Sequence, residues 1–343
     1  MRAIVFHQHG DRDVLKFEEL PDPTPAHGEV VVALEAAALN RLDIFIRQGL
    51  PGVPLPHVLG CEGAGHVAAV GAGVTQFKEG DRVVVTPGTS CGVCAACARG
   101  EDSLCRGYSM IGYRRNGCYA EKVAAPAISV YPAAAPLSAV EWASVPLVFL
   151  TAWHMLITRA RLSPGEDVLV QAAGSGVGIA AIQIARHAGA RVIATAGSDA
   201  KLARARELGA HEVINYTTTP DFAPEVRRLT GKKGVEVVVE HTGAATWAGS
   251  VNSLTWGGRL VTCGATTGPK VDFDIRTLFG RQIELIGSYM GARHEMMRVL
   301  ELVAAGVLKP VVDRTFPLAE AAAAQEYLDG RGQFGKVELT IGG

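Results

Sequence analysis

The sequence predicts an α/β protein in which a doubly wound parallel sheet is set into a β-rich frame. Three observations carry this. Strand and helix alternate from about residue 149 to 290, a glycine-rich turn joins the first of these strands to an alanine-rich helix, and the flanking segments read as short strands separated by turns. At 343 residues the chain is too long for one small core, so two domains are expected. Hydrophobic residues make up 48% and charged residues 20%, the balance of an ordinary globular protein. With 33 Lys and Arg against 34 Asp and Glu, the chain has no basic footprint for nucleic acid or an anionic membrane. Apolar runs near Val168 and Val235 are short and broken by Gly, and MRAIVFHQHG is not a signal peptide. The expectation is a cytoplasmic protein with no membrane span.

In chain order, Val30–Leu34, Gly65–Val70 and Arg82–Thr86 are β-rich runs bounded by Gly, Pro and Asp. The segment SCGVCAACARGEDSLC then spaces four cysteines as Cys91-x2-Cys94-x2-Cys97-x7-Cys105, defining a lobe over residues 90–106. Four thiolates on a Gly- and Ala-rich loop can wrap one tetrahedral Zn(II), and four protein ligands leave no open position, so the site is structural. An iron–sulfur cluster also accepts four cysteines, but no other feature points to electron transfer. The odd total of seven cysteines, four of them crowded together, suits metal binding in a reducing compartment better than disulfides.

Asp167–Gln171 reads as a buried strand running into Gly174, Ser175, Gly176, Val177 and Gly178, with a helix over Gly178–Ala188. Glycines here allow a tight turn and let backbone N–H groups approach a pyrophosphate, which the helix N-terminus stabilises. The literal GxGxxG pattern fails, since Ile179 stands where another Gly would be required. The strand Arg191–Thr195 leads to Thr195, Ala196, Gly197 and Ser198, with Lys201 soon after. An NAD enzyme usually offers Asp or Glu here to the ribose hydroxyls. Its absence, with Ser198 and Lys201 able to bind a 2′-phosphate, favours NADP(H) over NAD(H). Lys201 as a plain solvated helix residue is the alternative, and Asp199 opposes the preference. Further strands follow at Val213–Asn215, Val235–Glu240, Arg259–Cys263 and Ile283–Gly287. Thr242-Gly243 and Gly264-Ala265-Thr266 lie at strand carboxyl ends, where doubly wound sheets bind cofactors. The tail offers a helix over Glu295–Ala305, a strand over Val311–Phe316, a second helix and a strand near Lys336–Ile341.

This order of motifs resembles the medium-chain dehydrogenase/reductase superfamily, whose members include zinc alcohol dehydrogenases and zinc-free quinone and enal reductases. LGCEGAGHVAAVGAGV, GDRVVV, the cysteine lobe, FLTAWHML, the glycine loop and the closing FGKVELTI all occur in sequence. The resemblance implies a GroES-like β catalytic domain over 1–148 and 291–343 and a Rossmann domain over 149–290. It further implies homodimers or homotetramers joined through the strand around Ile283–Gly287. Tyr216 matches a position near the adenosine phosphate, and Thr151 a position that contacts nicotinamide.

The three positions that hold catalytic zinc in the alcohol dehydrogenases are filled here by Asn40, Cys61 and Leu147. An amide, a thiol and a hydrocarbon do not make a tight zinc site. A rearranged site using Cys61, Glu62, Asp43 and His57 or His66 is the alternative. Without a Lewis acid to stabilise an alkoxide, hydride transfer is easier to an acceptor already polarised by conjugation. The expected activity is therefore NAD(P)H-dependent reduction of a quinone or α,β-unsaturated carbonyl, with Asn40, Asp43, Cys61 and Thr151 as candidate catalytic residues. Cys61 reads equally as a packed thiol. An alcohol dehydrogenase with an altered metal site and a catalytically weak cofactor-binding protein are the rival readings.

Overall fold

The computed structural model describes residues 1–134 and 136–342. The chain folds into two compact units, one of Met1–Leu147 with the segment from Gly291 onward, the other of Val148–Met290.

In the first unit the Val-rich strand Glu29–Ala38 is the hub. It pairs antiparallel with Gly63–Val70, Lys122–Pro126 and the closing strand Lys336–Thr340, so both ends of the chain build one sheet. In the closing strand the period-2 alternation sends Val337 and Leu339 into the main core. Lys336 and Glu338 point to the opposite face, where both are also buried. The expectation of strands and turns missed three helices in this part of the chain, Arg41–Gly49, Ala95–Ala98 and Ala139–Ala143. The first of these starts where the Asp43 carboxylate accepts from the backbone N–H of Asn40, three residues before it.

The helical stretch Ala139–Arg159 is long and apolar enough to cross a membrane, although 67% of its apolar window is buried. A mostly buried helix of this kind is what a packed core produces. Its last part, His154–Arg159, is a π-helix.

The second unit carries six strands, Asp167–Val170, Arg191–Ala196, Glu212–Asn215, Val235–Glu240, Leu254–Thr262 and Glu284–Gly287. All pair in parallel, in the spatial order third, second, first, fourth, fifth, sixth. This is the Rossmann order, and it reverses between the first and fourth strands. Ligands bind at the carboxyl ends of such a reversal point. The α/β class and both architectures are as the sequence predicts. Strand Glu284–Gly287 has a partner on one side only. Around it Leu285, Ile275, Phe279 and Trp256 are exposed.

The helix Gly176–His187 can approach the first strand because Gly178 has no side chain: a Cβ there would lie 2.4 Å from the Ala172 carbonyl oxygen. Gly178→Ala must therefore push helix from strand. The expected cost is on the order of 1–3 kcal/mol, read as a fall in Tm of about 2–4 °C per kcal/mol, with weakened dinucleotide binding. An unchanged Tm would show that the close approach is not needed.

Candidate functional site

The carboxyl ends of the second unit's strands gather polar groups into one cradle. Ser175 caps the helix Gly176–His187, its Oγ accepting from the Gly178 N–H at 3.0 Å, and leaves the remaining first-turn amides for an anion. The same hydroxyl lies 2.8 Å from His241 Nε2, at the end of the fourth strand. Burial lowers the His241 pKa. Its Nδ1 and the Thr242 Oγ are buried polar atoms with no partner within the described residues, which fits a site that a polar ligand completes.

A buried chain of hydrogen bonds fixes this rim. Glu240, fully buried, accepts from the Thr242 and Gly243 N–H groups at 2.7 and 3.1 Å through one oxygen. Its other oxygen accepts from the hydroxyls of Thr246 and Ser250 at 2.8 and 2.6 Å. Ser250 in turn accepts from the Gln171 amide, and Gln171 accepts from the Thr195 hydroxyl. Gly243 has φ +91, and a Cβ there would lie 2.7 Å from the Gly268 carbonyl oxygen, so only Gly suits this turn. Thr266 Oγ donates to the carbonyls of His241 and Thr242, tying Gly264-Ala265-Thr266 to the same rim.

At the end of the second strand, Ser198 caps the helix Asp199–Glu207 through the Lys201 N–H. Tyr216 packs across Gly197, where a Cβ would meet its hydroxyl at 2.8 Å. Tyr216 and the capped first turn at Ser198 thus flank Gly197. Asp199, the residue that opposed a 2′-phosphate, is turned to Asn215, whose amide donates to it at 2.8 Å. Thr151 is buried, with its hydroxyl 4.0 Å from Met290 Sδ, and Met290 holds a left-handed φ of +50.

In the first unit Asn40, Asp43 and Cys61 come together, with neighbours the sequence reading had not assigned. Asn40 Nδ2 donates to Glu62 Oε1 at 2.9 Å, and Asn40 Oδ1 accepts from Lys336 Nζ at 2.7 Å. Lys336 also donates to Glu62 Oε1 at 2.7 Å and to the Leu39 carbonyl at 2.8 Å. Glu62 Oε2 accepts from the Leu147 N–H at 2.5 Å. Glu62, offered for a rearranged metal site, engages Asn40, Leu147 and Lys336 instead. Asp43 accepts from Tyr119 Oη at 3.0 Å and from the Cys61 thiol at 3.6 Å. Burial pushes the Asp43 pKa up to about 6 and holds Cys61 as a neutral thiol. Cys61 is thus a packed donor. Arg47 faces away from this group, donating to Gln325 Oε1 and the Gly10 carbonyl. Lys336 went unassigned because it lies nearly 300 residues from Asn40. Alternation with Val337 and Leu339 also puts it on the strand face away from the main core, so the pattern carries no signal of its burial.

The histidines offered for a rearranged metal site are engaged elsewhere. His57 Nε2 lies 3.0 Å from the Gly112 carbonyl oxygen, and His66 pairs with Glu35 at 2.6 Å. Among the described residues one group has the ligand geometry for a metal, Cys91, Cys94, Cys97 and Cys105. Their Sγ atoms stand 3.5, 3.6 and 3.9 Å apart for Cys91–Cys105, Cys94–Cys97 and Cys91–Cys97. A regular tetrahedron of ~2.3 Å Zn–S bonds has edges of about 3.8 Å, so the set fits zinc. The N–H groups of Val93 and Cys94 pull the exposed Cys91 thiol down to about 6, while burial pushes the Cys97 thiol up to about 11. Asp102 anchors the lobe, accepting from Ser90 Oγ and from Arg293 Nε, both at 3.0 Å.

Two predictions follow from this geometry. Cys97→Ser leaves three thiolates, and the variant is expected to surrender zinc to a chromogenic chelator that the parent resists. Asp43 is raised in the fold from 3.8 to about 6, so its contribution to stability is present below pH 3.8 and is lost as pH rises through 6. Relative to Asp43→Asn, the parent should lose about 3 kcal/mol between pH 4 and 7. A gap in Tm that does not change with pH would contradict this.

Comparison with known proteins agrees with the geometry. Residues 26–135 match the alcohol dehydrogenase GroES-like domain and residues 176–305 the zinc-binding dehydrogenase domain. The chain is 33% identical to a zinc-type alcohol dehydrogenase-like protein of Schizosaccharomyces pombe, covering 99% of each. It is 34% identical to a 2-haloacrylate reductase of a Burkholderia species, covering 98% of each. A solved structure named as an NAD-dependent alcohol dehydrogenase superposes with a TM-score of 0.96 at 49% identity over the whole of both chains. Likeness of this extent, on top of the cradle and the two architectures, makes the chain a member of the medium-chain dehydrogenase/reductase superfamily and an NAD(P)-dependent oxidoreductase.

Proposed function

We propose that this enzyme uses NADPH to reduce a carbonyl compound activated by conjugation, an α,β-unsaturated carbonyl or a quinone, with zinc confined to the cysteine lobe. The observation that carries the reading is the identity of the groups at the family's three metal positions. Asn40 is hydrogen-bonded on both ends of its amide, Cys61 gives its thiol hydrogen to Asp43, and Leu147 offers no donor side chain. The 2-haloacrylate reductase acts, by its name, on an activated alkene.

When bound, the reduced nicotinamide supplies a hydride, which leaves the acceptor with an enolate oxygen that needs hydrogen-bond donors. The chain's own groups then divide the work. Ser175 and the first turn of its helix hold the pyrophosphate, and Thr242, Gly243, Gly264, Ala265 and Thr266 line the rim beside it. Thr151 orients the nicotinamide. Ser198 and Lys201 bind a 2′-phosphate, with Tyr216 against the adenosine side. Asn40 donates to the substrate oxygen, and water protonates the α-carbon afterwards.

A second reading, an alcohol dehydrogenase using NAD, is favoured by the name of the structure at 49% identity. Steady-state assays separate the two. The proposal expects turnover of 2-cyclohexenone- or quinone-type acceptors with NADPH, insensitive to chelators, and negligible oxidation of simple alcohols. Chelator-sensitive alcohol oxidation with no enone turnover would overturn it. Lys201→Ala should raise KM for NADPH about tenfold, the loss of one charge-assisted contact, and leave NADH unchanged. Equal effects on both cofactors would remove Lys201 from the 2′-phosphate site. Self-association through the apolar edge at Leu285 and Phe279 predicts a dimer or larger assembly that Phe279→Glu with Leu285→Lys dissociates in light scattering.

A further inference from the structure

Lys336, Glu62 and Asn40 form a closed triangle of hydrogen bonds in which every direction is fixed by chemistry. An ammonium can only donate, and an ionised carboxylate can only accept. Lys336 has three N–H bonds and three acceptors, the Leu39 carbonyl, Asn40 Oδ1 and Glu62 Oε1, at 2.8, 2.7 and 2.7 Å. It is 5% exposed and its charge is fully committed, so it is not itself a donor to substrate. Glu62, fully buried, takes hydrogen bonds on both oxygens.

The amide between them has no freedom. Turning the Asn40 carboxamide over would face its NH2 toward an ammonium and its oxygen toward a carboxylate, two repulsive contacts in a buried setting. The backbone is held as well, since the Asn40 N–H donates to Asp43 Oδ2 at 2.7 Å. A carboxamide nitrogen carries two hydrogens, and here one of them goes to Glu62. The other is uncommitted within the described residues. The neighbouring acid Glu338 does not compete for Lys336: it is fully buried with neither oxygen paired, and burial holds it protonated.

We propose that Lys336 and Glu62 are positioning residues that lock the Asn40 carboxamide in one orientation, so that its remaining N–H is presented to the oxygen of the acceptor. A protein-borne ammonium and its carboxylate thereby do at this position what a bound cation would do: they fix the polarity of the group that meets the developing enolate. The proposal rests on the reductase reading for its substrate, while the lock itself is a property of the protein alone.

The test uses full-length protein and four variants. Asn40→Ala is expected to lower kcat for enone reduction 10²- to 10³-fold, the usual loss of one oxyanion donor, with KM for NADPH unchanged. Lys336→Met leaves Glu62 buried without its cation, so both Tm and kcat fall. Glu62→Gln with Lys336→Met restores charge balance and recovers Tm, but Gln can donate or accept, the amide is free to turn, and kcat stays about 10- to 100-fold down. Lys336→Arg keeps the charge and is expected to retain more kcat than the neutral double variant. A purely structural role predicts that kcat returns together with Tm in the double variant, and that outcome overturns the proposal. The side-chain amide resonances of 15N-labelled protein, assigned by their loss in Asn40→Ala, give a readout independent of turnover. The parent is expected to show one sharp Asn40 pair and the double variant a broadened or doubled one. A sharp, unshifted pair in the double variant defeats the lock even if enones are reduced. Absent enone turnover in a parent with the sharp pair defeats only the reductase reading.

Discussion

The buried ion pair of Lys336 and Glu62 is the interaction on which the catalytic unit depends. Removing two charges from water costs several kcal/mol for each ion, and attraction alone seldom offsets it. This pair offsets it by leaving no proton of the ammonium and no oxygen of the carboxylate unbonded. The partners come from five places along the chain: the end of the hub strand, the start of the helix Arg41–Gly49, the loop at Glu62, Leu147 and the closing strand. The pair is therefore a staple between the two chain ends.

The cofactor unit solves a similar problem with a different buried carboxylate. Glu240 accepts four hydrogen bonds, two from the backbone of the turn after its strand and two from hydroxyls on the helix Ala244–Ser253. Through Ser250, Gln171 and Thr195 the network reaches the Ala172 N–H at the start of the glycine loop. The carboxyl ends of the first, second and fourth strands are thus held in one register by side chains. Preorganisation of this kind lets the polar groups of a rim be set before a ligand arrives.

Much of this was legible in the sequence, and the limits have physical causes. Hydrophobic periodicity and the glycine turn predicted the doubly wound sheet because both are local signals. The spacing of Cys91, Cys94, Cys97 and Cys105 predicted a closed thiolate site for the same reason. Helix Arg41–Gly49 was missed although it is amphipathic, because its Asn40 and Asp43 cap had been read for chemistry. The strand Leu254–Thr262 starts five residues earlier than expected, since its Trp-Gly-Gly interior reads as a turn. Lys336 escaped notice because its partners are distant in sequence, and alternation with Val337 and Leu339 assigns it to the face away from the main core. The role of Glu62 followed from the same missing contact. Asp199 is a similar case: its hydrogen bond from Asn215, 16 residues on, is a tertiary contact that local pattern does not carry.

The central claim is that the reaction site is organised by an internal ammonium rather than by a metal ion. Crystals grown with zinc and an oxidised nicotinamide dinucleotide, measured on either side of the zinc absorption edge, test it most directly. The account predicts one anomalous peak per chain, enclosed by Cys91, Cys94, Cys97 and Cys105, and none beside Asn40, Cys61 and Glu62. A second, well-occupied peak at those three residues, with Lys336 displaced from Glu62, would contradict it.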